Sequence, residues 1–184
     1  ADFQTFYDRL PITSRPSPQA YLDIFLDAKE KGEEVLVLTL SSGLSGTIES
    51  AYAAKNMAEY NPIYIVDTHQ AILTQRILVE MAVRMRSEDY SAAEIAQKTE
   101  QMRDQVVVCG VVDTLKYLRK GGRIPTGLAM IGQALNIKPV IVLEDTKLKT
   151  LGKARGYQQG VQMLYERMQK DRFSKAYPVY FGYT

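Results

Sequence analysis

Val35-Leu36-Val37-Leu38-Thr39-Leu40-Ser41-Ser42-Gly43-Leu44-Ser45-Gly46-Thr47 is the stretch on which the fold turns. Its first half is a continuous β-branched and leucine run, the pattern of a strand covered on both faces. Its second half is a Gly/Ser loop leading into a helical pattern with apolar Ile48, Ala51, Tyr52, Met57 and Ala58. A covered strand that feeds a loop and then a helix is the unit of a parallel α/β sheet.

Upstream, Ser17 before Pro18 reads as a helix N-cap with proline in the first turn, and Gly32 closes that helix after Lys31. Downstream, Asn61-Pro62 makes a turn, Ile63–Val66 a second strand and Ala71–Met85 a third helix. Ser91 with Glu94 forms the S-x-x-E capping box of a helix reaching about Gln105. The alternation then changes. Val106–Val112 reads as a strand and Thr114–Lys120 as a short helix stopped by Gly121-Gly122. Lys138–Leu143 pairs with Leu148–Leu151 across Asp145-Thr146-Lys147. A long helix covers Tyr157–Lys170, and Pro178–Phe181 reads as a final strand. The expectation is an α/β protein of two domains, a helix-covered parallel sheet over 1–105 and a smaller α/β domain with a mixed or antiparallel sheet over 106–184.

Composition narrows the function. The chain has 184 residues, 46% apolar and 24% charged, enough for a folded core and too ordinary for a disordered tail. No apolar run approaches the roughly 20 residues of a membrane span. With 23 basic and 21 acidic side chains the net charge of +2 calls for no nucleic-acid partner. One cysteine excludes an internal disulfide and suits a reducing cytoplasm; one histidine, His69, excludes a His-rich metal site. The opening residues carry no signal-peptide pattern. Both ends are expected to be truncated.

The loop Leu40–Thr47 is the leading candidate for chemistry. It lies where strands of an open α/β sheet end, beside a helix start that offers free N–H groups and a partial positive charge. Ser45 and Thr47 add hydroxyls, and the glycines permit close approach of an anionic oxygen. The same residues serve equally well as plain caps and turns. The loop lacks the P-loop ending, the spaced glycines of a dinucleotide turn and the spacing of a nucleophile elbow. Asp67-x-His69 would share a strand face if the strand continued, and with Ser45 it allows a serine hydrolase as the alternative, beside a small-molecule phosphotransferase. Thr13-Ser14-Arg15-Pro16-Ser17 is a second hydroxyl cluster, readable as pre-helix capping. Arg123 follows Gly121-Gly122, and Arg155 precedes a helix. Cys109 reads as core packing.

Taken together these segments resemble the DegV family of bacterial fatty-acid-binding proteins. Thr13–Ser17 is similar to the family's TSQPS, with Arg15 in place of Gln. Leu40–Thr47 resembles S-S-x-L-S-G-T, and Val66-Asp67-Thr68 the family's D-S/T strand end. Asp113–Ile124 resembles D-T-L-x-Y-L-x-x-G-G-R-I. Ile137-Lys138-Pro139 and Lys153-x-Arg155-Gly156 follow in order.

The resemblance implies a protein without catalysis or cofactor of its own. It would hold one long-chain fatty acid, such as palmitate, with the carboxylate at the domain junction. Carried over, Thr13 and Ser45 would bond that carboxylate with the Gly46 backbone close by, and Arg123 and Arg155 would stand at the mouth. The implied partner is a fatty acid kinase similar to dihydroxyacetone kinases. The resemblance also implies that the chain lacks the first domain's opening strand and helix and the second domain's last segments. A buried acyl chain of about sixteen carbons contributes about 0.8 kcal/mol per methylene, and apolar residues from Leu128 to Leu135 are candidates to line its tunnel.

Overall fold

The computed structural model describes residues 13–126, 136–171 and 179–182. It is an α/β structure with two sheets. Helix α1 (Pro18–Lys31) starts as its sequence dictates: the Ser17 hydroxyl accepts from the Ala20 N–H, proline occupies the first turn, and Gly32 ends it at φ 68°. Strand β1 (Val35–Thr39) follows, then α2 (Thr47–Ala58), β2 (Ile63–Asp67), α3 (Ile72–Ser87) and α4 (Ala92–Met102) with a short 3₁₀ turn at Arg103–Gln105. The predicted capping box is complete, Ser91 and Glu94 each satisfying the other's backbone N–H.

β1 and β2 pair in parallel, Val35 opposite Ile63 and Thr39 opposite Asp67. Leu22 and Phe25 of α1, Ala54 and Ala58 of α2, and Ile63 form one core, joined by Val35, Val37 and Ile65. Alternation leaves Leu36, Leu38, Tyr64 and Val66 for the other face, where α4 packs. One expectation needs correction. Val35 to Leu38 are half-buried rather than fully covered, because among the described residues this sheet has two strands and both are edges. On β2 the Lys55 ammonium donates to the Ile63 carbonyl at 2.5 Å, a charged side chain of the sort that guards strand edges.

The second sheet is antiparallel in the order β3-β4-β5, formed by β3 (Val108–Val111), β4 (Ile137–Glu144) and β5 (Lys147–Arg155). A short α5 (Lys116–Lys120) lies between β3 and β4 in the chain, and α6 (Gly156–Asp171) packs across all three strands. The hairpin strands are longer than predicted and carry a bulge between Val140 and Ile141. Its turn is two residues, Asp145 at φ 48° and Thr146 at φ 68°. Both central residues at positive φ is the mirror-image turn whose twist matches a hairpin. The predicted strand at Pro178–Phe181 is not observed in its described part. Residues 179–182 have no regular secondary structure and are held instead by side chains: the Tyr180 hydroxyl donates to Glu80 at 2.5 Å and Arg76 lies over the Tyr180 ring.

Candidate functional site

The Gly/Ser loop between β1 and α2 is held from four directions. Ser41, fully buried, receives its shape from the chain beyond β2: its N–H donates to the Gln70 carbonyl at 2.8 Å. The Ser42 N–H donates to the Asp67 carboxylate at 3.2 and 3.3 Å, and Asp67 also accepts the His69 N–H at 3.0 Å. The Ser41 carbonyl accepts the N–H groups of Leu44 and Ser45 at 3.0 and 3.2 Å, which curls the loop toward the helix. Gly46 is the N-cap of α2 and brings no side-chain bond. The Ser45 hydroxyl does part of that work from one residue earlier. It accepts the Thr47 N–H at 3.3 Å and lies 2.8 Å from the Thr47 hydroxyl.

Distant segments then close on the loop. The β4–β5 turn docks on its first half, where the Ser41 hydroxyl donates to the Thr146 carbonyl at 2.7 Å. Gly43 sits against the same carbonyl so closely that a Cβ would collide with it. From the Gly-Gly-Arg stretch after α5, the Arg123 Nε donates to the Leu44 carbonyl at 2.9 Å, with its Nη1 on the Gly121 carbonyl. From the segment before α1, the Arg15 guanidinium donates to the Gly46 carbonyl at 3.3 Å and pairs with Glu49 in the first turn of α2. Thr13 is exposed and stands two residues before Arg15, a span of at most about 7 Å of extended chain.

The structure therefore brings Ser45, Gly46, Arg123 and the Thr13–Ser17 segment to one loop. Arg155 does not join them. It ends β5 opposite Ile137, whereas the docked turn lies at the other end of that strand beside Lys147, about 25 Å away along the chain. Leu128–Leu135, the candidate tunnel lining, lies outside the described residues.

The triad alternative lacks its geometry. β2 stops at Asp67 and His69 follows at φ 53°, with its Nε2 4.0 Å from the Asp67 carboxylate. His69 Nδ1 is 2.9 Å from Asp104, and the described partner of the Ser45 hydroxyl is Thr47. Among the described residues no group of three or more His, Cys, Asp or Glu could hold a metal ion, and no helix is long and apolar enough to cross a membrane.

Charge around the loop is mixed. Asp145, at the docked turn, is held below the usual carboxylate range by the hydrogen bond and charge of Lys149, with a smaller contribution from His69. Arg15 and Arg123 bring cations to the helix start, and Glu49 brings a carboxylate. An anionic oxygen seated at Ser45 and Gly46 would meet the Ser45 hydroxyl and the backbone N–H groups and positive dipole end of the helix start. Sequence reasoning missed Arg15, Glu49 and Thr146 as members of this cluster. Arg15 stood in a motif, but Glu49 and Thr146 carry no local signal; only packing brings them there.

A family model described as an uncharacterised protein of the DegV family matches residues 1–184. A DegV domain-containing protein of Caldanaerobacter subterraneus subsp. tengcongensis is 32% identical over 160 residues, 87% of this chain and 57% of that protein. Among solved structures, a DegV family protein from Thermus thermophilus, reported for fatty acid binding, superposes with a TM-score of 0.81 at 30% identity, covering 92% of this chain and 61% of that one. The fatty acid kinase B3 protein of Streptococcus pneumoniae, loaded with linoleic acid, superposes with a TM-score of 0.76 at 27% identity, covering 91% and 60%. The chain thus spans about three-fifths of the length of each of these proteins.

Proposed function

The chain belongs to the DegV family, and from that premise we propose that it binds a long-chain fatty acid whose carboxylate sits at the Ser45–Gly46 helix start. The single observation that carries this is convergence: Arg123 and the segment containing Thr13 and Arg15 reach the same short loop from far along the chain. The solved relatives that share this fold include proteins reported with fatty acids. A carboxylate removed from water needs donors. The Ser45 hydroxyl, the Thr13 hydroxyl and the Gly46 backbone supply them, and charge-assisted bonds of this kind are the stronger sort. The boundary between the two parts falls near residue 105, with the head group at their junction.

In this reading the chain is a cytoplasmic carrier with no catalysis and no cofactor of its own. A kinase related to dihydroxyacetone kinases would phosphorylate the presented carboxylate, with Arg123 beside the exposed rim. The test is extraction of the purified full chain into organic solvent followed by mass spectrometry, with titration of added palmitate and oleate. A stoichiometric fatty acid is expected. A chain that carries none and binds neither added acid overturns the reading.

A further inference from the structure

Arg15 and Glu49 lie directly over Gly46. A Cβ at position 46 would fall 2.7 Å from Arg15 Nη1, 3.3 Å from Arg15 Cδ and 3.1 Å from Glu49 Oε2. The two side chains pair with each other, and Nη1 also donates to the Gly46 carbonyl. Their placement creates an electrostatic problem for any carboxylate at that position. Glu49 occupies the first turn of α2, where an acid favours the helix by complementing its dipole. The same negative charge opposes a second anion at the helix start, because like charges a few ångströms apart repel even near the surface. Arg15 is the group in contact with that carboxylate, and its pairing offsets the negative charge of Glu49 at the point nearest Gly46.

We infer that Arg15 is a positioning residue of the head-group site: it neutralises Glu49 and ties the segment bearing Thr13 to the loop bearing Ser45. The inference rests on the fatty-acid reading above and adds a specific cause to it. Two parts of the role are separable. Neutralisation acts through charge, so it fades in salt and becomes unnecessary once the acid is removed. Tying acts through the Gly46 carbonyl bond, and neither salt nor loss of Glu49 replaces it.

The experiment is a binding cycle in the full chain with the fluorescent fatty acid cis-parinaric acid, comparing wild type, Arg15→Gln, Glu49→Gln and the double variant. At ~20 mM salt, where charges are poorly screened, Arg15→Gln is expected to weaken binding by roughly three- to tenfold. Glu49→Gln alone should bind up to about threefold tighter, and the double variant should recover the charge-dependent part of the Arg15→Gln loss while keeping the part due to the missing bond to the Gly46 carbonyl. The Arg15→Gln deficit should shrink at ~0.5 M salt. Arg15→Lys should recover part of the loss, since the charge survives without the guanidinium fork.

Wild-type binding with an unchanged Arg15→Gln overturns the assignment while leaving the fatty-acid reading intact. A double variant as weak as Arg15→Gln overturns the neutralising role. If Arg15→Gln does not fold, Glu49→Gln still decides, because weaker binding there contradicts the inference. A wild type that binds no fatty acid removes the fatty-acid reading above and this assignment with it.

Discussion

The Ser41 hydroxyl donates a 2.7 Å hydrogen bond to the Thr146 carbonyl across 105 residues of chain. It is the closest side-chain tie between the loop after β1 and the tip of the β4–β5 hairpin, and Ser41 is fully buried where it is made. Ser41→Ala removes the donor and leaves the carbonyl against Gly43. Loss of about 1–2 kcal/mol is expected, read from chemical denaturation. Gly43→Ala should be at least as damaging, because its Cβ meets backbone that has no side chain to swing aside. Wild-type stability in both variants would mean that the hairpin tip does not dock on this loop.

The turn itself offers the opposite experiment. Thr146 is β-branched at φ 68°, a conformation in which such residues are rare outliers. Thr146→Gly makes the Asp-Gly pair that this turn class prefers, and it leaves in place the carbonyl that accepts the Ser41 hydroxyl. A gain of about 1 kcal/mol is expected by thermal denaturation. A loss would show that the Thr146 side chain contributes to docking more than its backbone strain costs.

At the proposed head-group site, Ser45→Ala should weaken fatty acid retention by roughly tenfold or more, and Thr13→Ala by roughly three- to tenfold, with the fold unchanged by circular dichroism. Equal retention in both would place the carboxylate elsewhere.

Arg123 braces the Leu44 carbonyl, next to Ser45. Arg123→Ala is therefore expected to weaken retention by roughly threefold or more through the loop, besides any effect on a partner kinase. Arg123→Lys should not restore it, since an ammonium cannot copy the Nε bond while also bonding Gly121. Retention equal to wild type in Arg123→Ala would confine the residue to the partner-facing rim.

The Ser91–Glu94 box sets a pH response. Glu94 lies below its ordinary value because the Ser91 hydroxyl, and then the Ser91 backbone, bond its charged form. A carboxyl lowered by folding adds stability above its unfolded pKa, and that stability is lost as pH falls through the folded pKa. Melting temperature should therefore decline on acidification below about pH 4.5, and Glu94→Gln should show a smaller decline over the same range. An identical decline in the variant would assign the acid sensitivity to other carboxylates.

Much of this molecule was legible before any coordinates. The Ser17-Pro18 start, the Ser91–Glu94 box, the parallel pair at 35–39 and 63–67, and the hairpin around Asp145 follow from caps, apolar periodicity and turn residues, which act over a few residues and leave a local mark. Ser45 and Gly46 were readable for the same reason, since a strand, a Gly/Ser loop and a helix adjoin in the chain. The final strand was misread because four apolar or aromatic residues cannot tell a ladder from a side-chain dock on α3. The half-buried state of β1 was hidden because burial depends on neighbours in space.

What the sequence determined by itself was the order and kind of the elements and the loop on which an anion could rest. The tertiary structure alone decided that Thr146 would press on Gly43, that Arg123 would hold Leu44, that Arg15 would meet Glu49 over Gly46, and that Arg155 would end far along its strand. Those pairings join residues dozens to more than a hundred positions apart. No local propensity encodes them; they exist only once helices and sheets have packed, because distance in space is set by the burial of whole faces rather than by neighbours in the chain.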